Sequence, residues 1–240
     1  MSTSAPRVLC IAGADSSGGA GIAADQRAVE RLGGRAFCTI TAVTAQSHKR
    51  VATVHAVPPT VLRAQLDVLQ DAAPVDAIKV GMLASGALLT EVLAWMHTLP
   101  SNVPVVVDPV LISSSGAHLL DDAGIEALPK LFRRTTVLTP NAAEARFLAG
   151  SQTVEAWANT LPCAVLVTGG DEPSPDTVTD WLYLRTQAPI PLQAPRFPGA
   201  SPRGTGCTLA SALATLLAQG HSIPTASRLA GDYVRTALMA

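Results

Sequence analysis

The chain has few aromatic residues (4%) and few charged ones (15%), and neither sign of charge dominates. Its 17 Lys and Arg against 18 Asp and Glu leave a formal net charge of −1, without the basic excess that binding a phosphate backbone requires. No apolar run approaches the ~18–20 residues of a membrane span. The opening stretch MSTSAPR has no apolar h-region, so no secretory signal is expected. Cysteine is sparse: Cys10, Cys38, Cys163 and Cys207 are scattered and form no C-x-x-C pair. That pattern excludes a disulfide scaffold or a zinc finger and points to a reduced, cytoplasmic protein. The five histidines show no metal-ligand spacing. There is no repeat period, low-complexity linker or break in composition, so residues 1–240 are expected to form one domain.

What the chain does have is 48% hydrophobic residues, arranged as short β-like runs alternating with helical patterns. RVLCIAG (7–13) ends on glycine and reads as a buried strand. A helix follows, with Ile22, Ala23, Val29 and Leu32 at helical spacing, and stops at Gly33-Gly34. Strands are predicted at 35–43, 51–57, 76–80, 103–107, 136–140 and 164–168. Between them lie helical patterns: PPTVLRAQLDVLQDAA carries Val61, Leu62, Leu66 and Leu69 on one face, followed by SGALLTEVLAWMHTL, 122–133 and 141–161. The prolines of 179–197 confine that segment to a hairpin or sheet edge. Helices from Cys207 and from about Ile223 close the chain. This order predicts an α/β fold, with a mostly parallel sheet and helices on both faces. Ligands of such sheets gather beyond the carboxyl ends of the strands. Five strand ends there are polar or rich in glycine: GADSSGGAG, GM, DP, TPN and TGGD.

GADSSGGAGIAAD (13–25) contains Gly19-x-Gly21-x-x-Ala24, a variant of the dinucleotide fingerprint. That fingerprint needs an acidic residue about 20 positions on, and none stands between Arg31 and Gln65. A P-loop also fails, because no Gly-Lys-Ser/Thr follows. Two readings remain: a loop whose backbone approaches a ligand, with Asp25 behind it, or a tight turn with Asp25 solvated. Gln46, past a strand end, has an amide suited to the edge of a planar heterocycle, or is an ordinary loop residue. Met82 is a pocket wall or plain core. Asp108 at a strand tip, with Asn141 and Glu144 one helical turn apart, offers hard oxygen ligands for Mg²⁺. Asn141 and Glu144 equally spell a helix capping box. Gly204-Thr205-Gly206 opens a helix whose N–H groups and dipole form an anion site suited to a transferring phosphoryl group. Cys207 at that terminus is expected to have its thiol pKa lowered and to accept a proton from an attacking hydroxyl; an inert buried cysteine is the alternative.

Together GADSSGGAGIAAD, TAVTAQS, KVGML, VVVDPV, SSSGAHLL, TPNAAEA and GTGCTLASAL resemble the hydroxymethylpyrimidine/phosphomethylpyrimidine kinases of thiamine biosynthesis, from about residue 7 to 237. Related sugar and pyridoxal kinases of the ribokinase superfamily usually carry Asp where this chain has Cys207. The resemblance implies a ribokinase-like three-layer αβα sandwich, usually a homodimer. It implies ATP- and Mg²⁺-dependent phosphorylation of 4-amino-5-hydroxymethyl-2-methylpyrimidine, then of its monophosphate. By the same resemblance Gly13, Asp25, Gln46 and Met82 form the pyrimidine pocket, with Asp25 and Gln46 bonding the aminopyrimidine edge. Asp108, Asn141 and Glu144 lie near Mg²⁺ and the ATP phosphates, Gly204, Thr205 and Gly206 form the anion hole, and Cys207 is the base.

Departures from the family pattern concern mainly cations. Thr168-Gly169-Gly170-Asp171 replaces a Lys-Gly-Gly-His, Ser114 replaces a lysine, Ala23 replaces a glutamine, and Arg203 replaces the histidine before Gly-Thr-Gly. Thr168 and Arg203 are the candidate phosphate contacts at these altered positions, with Arg203 supplying charge for a lost lysine. The second phosphorylation, whose acceptor is itself anionic, is expected to suffer most. A pyridoxal kinase-like enzyme and a weakly active pyrimidine-sensing protein are the alternative readings.

Overall fold

Runs such as VLCIA, AIKV and AVLV pair because a strand buried on both faces needs little besides apolar residues. The computed structural model describes residues 4–47, 50–111, 119–169, 176–196 and 204–238. Ser114, Gly170, Asp171 and Arg203 lie outside the described residues.

In chain order the elements are β1 (Arg7–Asp15), α1 (Gly21–Arg31), β2 (Arg35–Gln46), β3 (Val51–Ala56), α2 (Pro59–Ala72), β4 (Ala77–Val80), α3 (Gly86–Met96) and β5 (Val105–Val107). They continue as α4 (Asp122–Phe132), β6 (Val137–Leu138), α5 (Ala142–Ala149), α6 (Val154–Thr160), β7 (Ala164–Val167), β8 (Thr177–Tyr183), β9 (Ile190–Pro195), α7 (Thr205–Ala218) and α8 (Ile223–Leu238). The strands form one nine-stranded sheet in the order β3-β2-β1-β4-β5-β6-β7-β8-β9. From β2 to β7 every pairing is parallel; β3, β8 and β9 run antiparallel at the edges. The proline-bearing 179–197 segment is therefore the β8–β9 hairpin, at the border where a missing N–H does least harm.

Alternation along the strands sorts two cores. Leu9, Ile11, Ile78, Val80, Val105 and Val107 pack toward α2–α6. Val8, Cys10, Ala77 and Val106 face the other way, toward α1, α7 and α8. Helices thus cover both faces, and the polar strand ends emerge at one edge.

Two helix faces differ from the expected ones. On α2, Leu62, Leu66 and Leu69 pack inward at i, i+4 and i+7, while Val61 is 45% exposed. On α1 the fully or nearly buried residues are Ala24, Asp25, Ala28 and Val29, with Ile22 and Leu32 only partly covered. Hydrophobicity alone misses this face because one of its members is a carboxylate whose partner lies elsewhere in the chain.

Candidate active site

Loop 15–20 connects β1 to α1 and is closed by its first residue. Asp15 Oδ1 accepts from the Ser17 N–H (2.9 Å) and Ser17 Oγ (2.8 Å), and Oδ2 accepts from the Ala20 N–H (3.0 Å). The loop then presses against the start of α7. Gly204 is the N-cap there, at φ 80°, and a Cβ on it would sit 2.1 Å from the Gly19 carbonyl oxygen. Only glycine meets both conditions. Because the first helical bond runs from Thr208 N to Gly204 O (2.8 Å), the N–H groups of Thr205 and Gly206 are left outside the helix ladder. This is the geometry expected of an anion hole.

Asp108 lies beneath it. This residue follows β5, is 6% exposed, and its Oδ2 lies 3.6 Å from where a Gly206 Cβ would be. Cys207 follows Gly206 on α7, beside the Asp108 carboxyl. Burial pushes the Asp108 carboxyl up to about 6, against the opposing pull of Lys79. Cys207 behaves contrary to expectation. Its thiol is pushed up to about 12, because burial outweighs the attraction of Lys79 and an N–H bond from Gly21, and Asp25 and Asp108 add repulsion. The resting residue is a neutral thiol. The helix-terminus argument gave the wrong sign because it left out desolvation and two neighbouring carboxylates.

Asp25 also needs correction. It was expected to face the pyrimidine, yet it is 0% exposed and both its oxygens are engaged inward. Lys79 Nζ lies 2.8 Å from Oδ1 and 2.9 Å from Oδ2, and Ser211 Oγ donates to Oδ1 at 2.8 Å. Burial raises its carboxyl, opposed by the Lys79 ammonium and both hydrogen bonds. Lys79 is itself fully buried on the central strand β4, and the Asp25 charge holds its ammonium well above the ordinary lysine range against the cost of burial. Neither Lys79 nor Ser211 was singled out from the sequence. The available signal was a lysine in a four-residue strand of a parallel sheet, where both faces call for apolar side chains.

The other candidates fall at two places along the same edge. Gly13, Met82, Ala42 and Leu119 meet: a Cβ at Gly13 would lie 2.9 Å from Met82 Sδ, and Met82 packs with Ala42 and Leu119. The backbone of Gln46 is clasped by Ser16, whose Oγ donates to Gln46 O (2.8 Å) and accepts from Gln46 N (2.9 Å). Its Oε1 accepts from Thr44 Oγ1 at 3.3 Å. On the other side, Asn141 and Glu144 form a reciprocal capping box on α5. Asn141 Oδ1 takes the Glu144 N–H (2.8 Å), and Glu144 Oε2 takes the Asn141 N–H (3.0 Å). Glu144 Oε1 also accepts from Leu111 N at 3.4 Å, which ties this cap to the strand end that carries Asp108. Thr168 bridges to Asn141 in parallel register. The structural reading of Asn141 and Glu144 is thus realised, and both Glu144 oxygens already serve backbone N–H groups. Among the described residues no group of three or more His, Cys, Asp or Glu side chains is placed to hold a metal. With both Glu144 oxygens engaged, Asp108 is the remaining candidate carboxylate on this side.

The phosphomethylpyrimidine kinase family model matches residues 15–240. The chain belongs to that family. It is 39% identical to the hydroxymethylpyrimidine/phosphomethylpyrimidine kinase of Mycobacterium tuberculosis, covering 98% of this chain and 89% of the relative. The enzyme of the same name from Synechococcus elongatus is 38% identical over 97% of this chain and 91% of its own length. Among solved structures, phosphomethylpyrimidine kinase from Clostridium difficile superimposes with a TM-score of 0.82 at 31% identity, covering 97% of this chain and 99% of that one. Pyridoxal kinase from Staphylococcus aureus in complex with AMP-PCP gives 0.86 at 28% identity, covering 97% and 87%. The ribokinase-like three-layer sandwich is therefore the fold of this chain.

Proposed function

We propose that this chain transfers the γ-phosphate of ATP to 4-amino-5-hydroxymethyl-2-methylpyrimidine, and then phosphorylates the monophosphate to the pyrophosphate, in thiamine biosynthesis. The observation that carries this reading is the burial of the Asp108 carboxyl directly beneath the open start of α7, where Cys207 follows Gly206. The Thr205 and Gly206 N–H groups hold the transferring phosphoryl group where negative charge gathers. With its thiol protonated, Cys207 acts as a relay: its sulfur takes the hydroxyl proton of the acceptor as its own proton passes to Asp108. The Asp108 carboxyl is pushed up to about 6, so it accepts a proton more readily than an ordinary aspartate. Asp108 would hold Mg²⁺ through water, and the ion would supply charge that neutralises the phosphates. Asn141, Glu144 and Thr168 form the ATP-phosphate side, while Gly13, Met82 and Gln46 form the pyrimidine side. Asp25 acts from behind this wall. The reading takes residues 1–240 as one kinase domain, homodimeric and cytoplasmic; no helix among the described residues is long and apolar enough to cross a membrane.

The test is incubation with Mg-ATP and the hydroxymethylpyrimidine, with products followed by mass. Appearance of mono- and pyrophosphate is expected. Tight pyrimidine binding with no product at any Mg²⁺ level identifies a sensor instead and overturns the kinase reading. The structural likeness to pyridoxal kinases gives a second acceptor to try, and faster turnover of pyridoxal transfers the assignment to that alcohol.

A further inference from the structure

A lysine rarely sits in the middle of a parallel sheet, because its ammonium must find a partner that replaces water. Lys79 points to the same face as Cys10, its register partner on β1, and lies under α1 and α7. Its ammonium reaches along β4 toward the strand's carboxyl end: a Cβ on Gly81 would lie only 2.6 Å from Nζ. Asp25 pairs with it from the side, with Ser211 of α7 completing the carboxylate's bonds. This pair does not cancel at the site. Nζ lies against Gly81, the residue after Val80, and the Val80 carbonyl accepts from the Asp108 N–H (2.8 Å), so the ammonium sits beside the strand ends that carry the reacting groups. A charge buried this deeply acts through a low effective dielectric and keeps its strength over several ångströms.

We propose that Lys79 is a specificity-determining positioning residue, whose buried ammonium favours an acceptor that already carries a phosphate over the neutral alcohol. It touches no substrate and acts through the charge that it places beneath Asp108 and the Gly204–Gly206 helix start. This rests on the proposed function and deepens it. Two lysines of the resembled pattern are replaced at Thr168 and Ser114, and Lys79 is a buried cation at the carboxyl end of β4.

The test compares wild type with Lys79→Met and with the double variant Lys79→Met/Asp25→Asn, which leaves no unpaired carboxylate in the core if the single variant fails to fold. Each protein is checked by thermal melting and titrated calorimetrically, without ATP, with hydroxymethylpyrimidine and with its monophosphate; kcat/KM is then measured on both. Because the two ligands share the pyrimidine ring, disturbance of the pocket cancels in their ratio. The expected result is a loss of monophosphate affinity about tenfold or more greater than the loss for the alcohol. Gly81→Ala, which displaces the ammonium but keeps its charge, is expected to shift the ratio in the same direction. Equal losses on both ligands, or an unchanged ratio in a folded double variant, overturn the proposal. Failure of wild type to make product from either acceptor would sink the kinase reading alone, since the binding ratio still reports on Lys79.

Discussion

The two faces of the sheet are built on different principles. The α2–α6 face is filled with large apolar side chains, among them Trp95, Met96, Leu62, Leu66, Leu131 and Phe132. Opposite it, α7 and α8 approach on small residues such as Ala210, Ala212, Ala214, Ala226 and Ala230. All three charged side chains buried among the described residues belong to this second face: Asp25 on α1, Lys79 on β4, and Asp108, two residues beyond Val106. A buried ion pair is weak evidence for stability, since removing two charges from water costs about as much as their attraction returns. The contrast therefore assigns cohesion mainly to the first face and site electrostatics to the second.

The sharpest way to break that division is Cys207→Ala on the second face. It should lower kcat about 10²- to 10⁴-fold, leaving the melting temperature and the KM for the pyrimidine nearly unchanged. Undiminished turnover would remove the thiol from the relay. Trp95→Ala is the mirror experiment on the first face. Urea unfolding should show a loss of about 3–5 kcal/mol, with activity per folded molecule retained. A selective loss of activity without loss of stability would erase the distinction between the faces.

A third prediction uses pH. The folded protein holds the Asp108 proton up to about 6, whereas an ordinary aspartate releases it near 3.8. Between those values the native state binds more protons than the unfolded state, so this group makes stability fall as pH rises and level off above about 6. In chelator-containing buffer, Asp108→Asn should remove a decline of about 3 kcal/mol at most. Parallel curves for wild type and variant would show that the carboxyl is not buried as described. The smallest effect belongs to Asn141→Ala, which opens the capping box on α5. A loss of about 1 kcal/mol is expected by thermal melting, and a drop in activity far beyond that loss would mark Asn141 as a direct phosphate contact.

Much of the architecture was legible because its causes are local. VLCIA, AIKV and AVLV read as strands by composition, the prolines of 179–197 placed a hairpin at the border, and Pro59 marked the start of α2. At the site, Gly204 was visible as a turn glycine and Asn141 with Glu144 as a possible cap, both from short-range pattern. Asp15 was less legible, since a carboxylate that closes its own loop looks like any polar loop residue. Val61 misled because its place on the helical wheel lies at the margin of the buried stripe.

By itself the sequence determined the alternation of strands and helices, the glycines that let loop 15–20 meet α7, and the presence of a thiol at that helix start. Tertiary structure alone decided what the thiol and the carboxylates are. Asp25 meets Lys79 across 54 positions and Ser211 across 186, and no local pattern carries information over such spans. The direction of the Cys207 shift depends on how much water the fold excludes and on which charges it gathers nearby. Backbone preference acts over a few residues, whereas desolvation and charge pairing depend on the packed arrangement of the whole chain.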